Sequence, residues 1–176
     1  MAITLNGSGG VTGLTALPDS AMSSGSILQV VSTTKTDTTS SSSSSFANIS
    51  GMAVTITPSS SSNKIYLIGY LSLGINDARN RVYLKITGGN CSNYIGDADT
   101  GVEAANVIYF GEDNISYVQK SASLMFLDAP NTTSAITYQI QWATQASQTA
   151  YLNRAYTQDA VYANTASTIT AMEVAA

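Results

Sequence analysis

The chain has 176 residues, seven Lys and Arg against eleven Asp and Glu, a net charge of -4 and no histidine. A length of this order buries roughly two thirds of the unfolded surface without staples. The missing histidine removes Ser-His-Asp and Cys-His nucleophile chemistry together with the commonest metal ligand. The charge balance leaves no electrostatic footprint for a nucleic acid. Cys91 is the single cysteine and has no intrachain disulfide partner. Charged residues make up 10% of the chain, well under the ~25% of ordinary soluble domains. The expected surface is therefore neutral hydroxyl and amide over a β-rich core. No stretch reaches the roughly 18 apolar residues of a membrane span, so membrane insertion is not expected.

Residues 1–25 alternate glycines with spaced apolar side chains, Ile3, Leu5, Val11, Leu14 and Leu17, and Pro18 interrupts any helix. Such a segment has no core of its own. Its two readings are a floppy tail and an extended virion-docking arm whose apolar residues enter grooves on a partner.

From residue 26 onward the pattern changes to period two, first at 27–31. The hydroxyl-rich run 38–45 then reads as a hairpin loop. Met52, Val54 and Ile56 alternate with Ala53, Thr55 and Thr57, between Gly51 and Pro58. In 64–73, Ile65, Leu67, Leu71 and Leu73 share one face while Tyr66, Ile68 and Tyr70 share the other, so both sides are apolar. This strand is expected to be central or to face another subunit, with Tyr66, Ile68 and Tyr70 at the contact.

Further strands are expected at 81–87, 93–97, 107–110 and 117–127. The strongest alternation follows at 135–143, where Ile136, Tyr138, Ile140 and Trp142 oppose Thr137, Gln139 and Gln141. Strands at 150–153 and 168–174 complete the set. No amphipathic helix is predicted. Strands every ten to fifteen residues with turn signals between them predict an all-β fold: an antiparallel, jelly-roll-like β-sandwich at 26–176 behind an extended N-terminal arm.

Asp97, Asp99 and Glu103 with Gly101 resemble the start of a calcium loop but lack its later ligands, and three acids also suit a solvated loop. No cofactor is expected. Paired carboxylates are all that glycoside hydrolysis needs, which brings Asp97, Asp99, Glu112, Asp113 and Asp159 into consideration. A domain of this length with small loops leaves little room for a polysaccharide cleft, and the chain is expected not to be an enzyme. Cys91 reads as a small buried residue. The ten tyrosines serve as strand formers or as contact groups, with Tyr94, Tyr109, Tyr117, Tyr151, Tyr156 and Tyr162 as loop-lining candidates.

Residues 25–38, 48–60, 126–134, 151–154 and 167–176 carry a resemblance. Together they resemble the C-terminal β-sandwich module of tail-fibre-like virion proteins of marine and cyanobacterial tailed bacteriophages, and the opening residues 1–7 are similar to how such proteins begin. The resemblance implies a homotrimeric component of the virion, assembled in the host cytoplasm. The arm would dock on baseplate, tail or capsid proteins, and the sandwich would face a host cell-surface glycan or protein. It supplies no catalytic motif. There is no repetitive shaft between arm and sandwich, so a capsid decoration or cement protein is the alternative, and a small polysaccharide depolymerase a further one.

Overall fold

The structure is a computed structural model that describes residues 21–77, 80–91, 105–111, 117–145, 148–158 and 163–176. Within these residues the chain forms β1 (Ile27–Lys35), β2 (Thr39–Ser41), β3 (Ala47–Ile56), β4 (Lys64–Ile75), β5 (Asn80–Thr87), β6 (Asn106–Phe110), β7 (Lys120–Asp128), β8 (Ile136–Thr144), β9 (Ala150–Leu152) and β10 (Ser167–Val174). No α-helix occurs among the described residues.

The strands make two antiparallel sheets whose inner faces pack on each other. In the first, β4 is central: β7 pairs along one edge, while β10 takes the first half of the other edge and β9 the second half. β1 lies outside β10, and β2 outside β9. The second sheet runs β3-β8-β5-β6. With the short β2 and β9 set aside, the orders β1-β10-β4-β7 and β3-β8-β5-β6 are those of a jelly roll, so the expected fold class is correct.

Alternation fixes the core. Met52, Val54 and Ile56 on β3, Leu67, Leu71 and Leu73 on β4, and Tyr138, Ile140 and Trp142 on β8 are all buried. Each such aliphatic side chain contributes roughly 1.5–3 kcal/mol on leaving water. Their outward partners Thr55, Thr137 and Gln141 remain at least partly in solvent, as the period-two reading requires.

One expectation is corrected. Part of the serine-rich run is not loop: Thr39–Ser41 forms β2 against Ala150–Leu152. The strand is held by backbone pairing and has no apolar alternation to announce it. The segments 93–97 and 1–20 lie outside the described residues.

The strand directions give the sandwich two distinct ends. At the base, the chain enters β1 and leaves β10, and Gly25 N–H donates to Ala175 O at 2.9 Å while Ala175 N–H donates to Ser26 O at 2.9 Å. The opposite end, the tip, gathers the β1–β2, β4–β5 and β8–β9 connections, where Asn76 N–H donates to Thr149 O at 3.1 Å. The segments leading into β7 and β10 start from the tip as well.

Candidate functional site

The virion-docking candidates Ile3, Leu5, Val11, Leu14 and Leu17 lie outside the described residues, as do Asp97, Asp99, Glu103, Glu112, Asp113 and Asp159. Among the described residues no group of three His, Cys, Asp or Glu side chains is placed to hold a metal. The four described carboxylates stand apart. Asp37 accepts from Lys35 Nζ at 2.6 Å, and Asp77 accepts from Asn80 Nδ2 at 3.0 Å. Asp128 is buried and accepts from Tyr138 Oη at 2.6 Å and from the Asn90 backbone N–H at 3.2 Å.

Glu173 is the fourth. On β10 its carboxylate is wrapped by Gln29 Nε2 at 2.5 Å, the Ser59 N–H at 2.7 Å, Ser59 Oγ at 2.8 Å and Asn63 Nδ2 at 2.7 Å. Burial alone pushes the carboxyl upward, and the donors from Asn63, Gln29 and Ser59 together outweigh it, so its pKa lies below the ordinary value. This clamp ties the β3–β4 turn to both β1 and β10. A carboxyl with a depressed folded pKa contributes stability that is present above its unfolded pKa and lost as pH falls through the folded one. Stability is therefore expected to be insensitive to this group from neutral pH to about 5 and to fall below the unfolded value near ~4.3. Glu173→Gln should flatten part of that acid limb in urea titrations across pH. An unchanged acid limb would remove the clamp from the account.

Cys91 is buried as expected, and its thiol is pushed up to about 12, first by burial and then by the Asp128 charge. It stays protonated at neutral pH and is unsuited to nucleophilic work. Beside the base, a cleft of about 400 Å³ is lined by Met22, Leu28, Ser59, Ser60, Ser62 and Asn63 among others, with no charged side chain among the described residues that line it.

Two surfaces are more distinctive. Tyr66, Ile68 and Tyr70 do share the outward face of the central β4, and pairing surrounds them with residues that no single segment announces. Leu127, Tyr66, Met172 and Val30 form one row across β7, β4, β10 and β1, and Met125, Ile68, Thr170 and Ser32 form the next. Val30 is 55% exposed, Met125 61%, Leu127 45% and Tyr70 45%. Among the outward positions of β7, β4, β10 and β1, Lys64 at the corner of β4 is the single charge. The signal within reach was at β7, where Met125 and Leu127 are apolar opposite an equally apolar inward set.

The tyrosine expectations divide. Tyr109 lies in β6 and Tyr151 in β9, on the strands expected at 107–110 and 150–153, and Tyr94 and Tyr162 lie outside the described residues. Tyr117 and Tyr156 do stand in tip connections and are 40% and 44% exposed. Arg154 Cζ sits 3.9 Å from the Tyr151 ring centroid, and its Nη1 donates to the Ala155 and Tyr156 carbonyls, while the Tyr151 and Tyr156 rings lie 5.7 Å apart. This cluster stiffens the connection that leaves β9. No family model matches the chain, and no curated protein sequence matches it.

Proposed function

We propose that the chain is a fibre-type surface component of a tailed-phage virion that adheres to the host cell, anchored through residues 1–25 and self-associating as a homotrimer. The observation that carries this reading is the apolar, nearly uncharged face of β7-β4-β10-β1. Apolar residues scattered singly on a surface call for no partner, but a contiguous patch spread over four strands does. A second copy is the partner that suits it. A chain of net charge -4 resists self-contact wherever its acids point outward, and no described acid points out here.

The two-ended sandwich supports the same reading. The arm joins at the base, so docking there directs the tip and its tyrosines away from the particle. The chemistry is adhesion rather than turnover.

Light scattering on the purified chain is expected to give the mass of three copies. Met125→Glu combined with Leu127→Glu should give one copy that still folds, since both side chains lie outside the core, and that melts lower only by what association contributed. A monomeric parent chain, or an oligomer untouched by these charges, overturns the interface. Particles lacking the chain should fail to adsorb to host cells. Normal adsorption overturns the adhesion role, and a copy number matching the capsid lattice would assign the chain to head decoration instead.

A further inference from the structure

The outward positions of the second sheet carry a different chemistry. In register, Arg81 stands opposite Tyr109, Tyr83 lies between Val107 and Ala143, and Lys85 lies beside Gln141, which lies beside Asn48. Arg81 Cζ is 5.4 Å from the Tyr109 ring centroid, and Lys85 Nζ is 4.0 Å from that of Phe46. Gln141 Nε2 donates to Asn48 Oδ1 at 2.7 Å, continuing the row with amides. Among the described residues no carboxylate shares this face: Asp37 and Asp77 belong to tip turns, and Asp128 and Glu173 are buried. A chain of net charge -4 thus sets two cations together on one open sheet.

We infer that this face binds an acidic polysaccharide. Three features select that ligand. Tyr109, 49% exposed, offers a ring on which the C–H face of a sugar stacks. The amides of Gln141 and Asn48 match sugar hydroxyls, as donors and as acceptors. Arg81 and Lys85 meet carboxylates with charge-assisted hydrogen bonds, and the rings beneath them limit the side-chain freedom lost on binding. A row that crosses β6, β5, β8 and β3 suits an extended polymer lying across the strands better than a small molecule. The inference deepens the adhesion reading by naming the class of host ligand, and it rests on that reading only for its biological setting.

The purified full-length chain is titrated calorimetrically with polygalacturonate, with neutral dextran and with polyglutamate. Expected are saturable binding to polygalacturonate that weakens as salt is raised, and no heat with dextran. Arg81→Ala with Lys85→Ala should weaken binding at least ~10-fold, and Tyr109→Ala roughly fivefold, at unchanged melting temperatures. Should an alanine variant melt early, Arg81→Gln with Lys85→Gln keeps side-chain bulk and serves instead. Absence of polygalacturonate binding, or equal binding by a folded charge-neutral variant, overturns the inference. Equal binding of dextran overturns the acidic class, and equal binding of polyglutamate makes an acidic protein the occupant. Particles carrying the charge-neutral variant that adsorb normally overturn this inference and leave the adhesion role intact. Particles without the chain that adsorb normally have the opposite meaning.

Discussion

Asn153→Ala is expected to cost about 3–5 kcal/mol, a fall of roughly 10 °C in melting temperature for a domain of this size. Asn153 is fully buried, and its Nδ2 donates to Lys35 O at 2.8 Å and Asp37 O at 2.9 Å. Its Oδ1 accepts from Ser167 Oγ at 2.6 Å, and Ser167 Oγ in turn accepts from the Ser72 N–H at 3.1 Å. The backbone joins in, with Asn153 N–H donating to Ser72 O at 2.8 Å and Thr165 N–H donating to Asn153 O at 2.9 Å. One side chain therefore ties the end of β1 to β4, β9 and β10. Alanine would leave two carbonyls and a hydroxyl short of partners where water does not reach, which is the expensive way to lose hydrogen bonds. Asn153 also sits at φ 62, where asparagine is tolerated and alanine is strained. Asn153→Gly keeps that backbone while losing the same bonds, so it should melt above Asn153→Ala by the equivalent of about 1 kcal/mol. Calorimetric melting of the three proteins checks both numbers, and an alanine variant within 2 °C of the parent would refute the hub.

Gly88→Ala should be at least as damaging. Gly88 follows β5 at φ 108, a conformation that L side chains rarely adopt, and a Cβ there would overlap the backbone carbonyl of Thr137 at the start of β8. Conformation and contact fail together, and the obstacle is main chain, which cannot swing aside. The expected loss exceeds about 3 kcal/mol. Gly25→Ala is the matched comparison: φ is 86, but nothing among the described residues lies within 4 Å of the new methyl, so backbone strain of about 1 kcal/mol is the expected cost. Equal melting temperatures for the two variants would contradict this separation of strain from overlap.

How much of this was legible depends on whether a residue's role is set by its own segment. β8 could be read directly, because burial of one face imposes alternation along a single strand, and β4 because its run is apolar on both faces. β2 could not, since three hydroxyl residues carry no hydrophobic signal and are placed by the backbone of β9. The later half of β1 was missed for a related reason. Its outward residues Ser32 and Thr34 meet Thr170 and Thr168 in hydroxyl pairs at 2.9 and 3.3 Å, which need a partner strand to be recognised. The surfaces behave likewise. Tyr66, Ile68 and Tyr70 are visible on one strand, whereas Met125, Met172 and Val30 join them only through register. Arg81 and Lys85 read as outward, but the rings beneath them come from β6 and from the residue ahead of β3.

The pair of hydrogen bonds between residues 25–26 and 175 has a practical corollary. Entry and exit are zipped side by side, so both cut points of this unit lie a few ångströms apart, and a host loop would need no widening to receive it. The sandwich is thereby a cassette: transplanted into a permissive hairpin of an unrelated scaffold, it should keep its shape and present its tip outward.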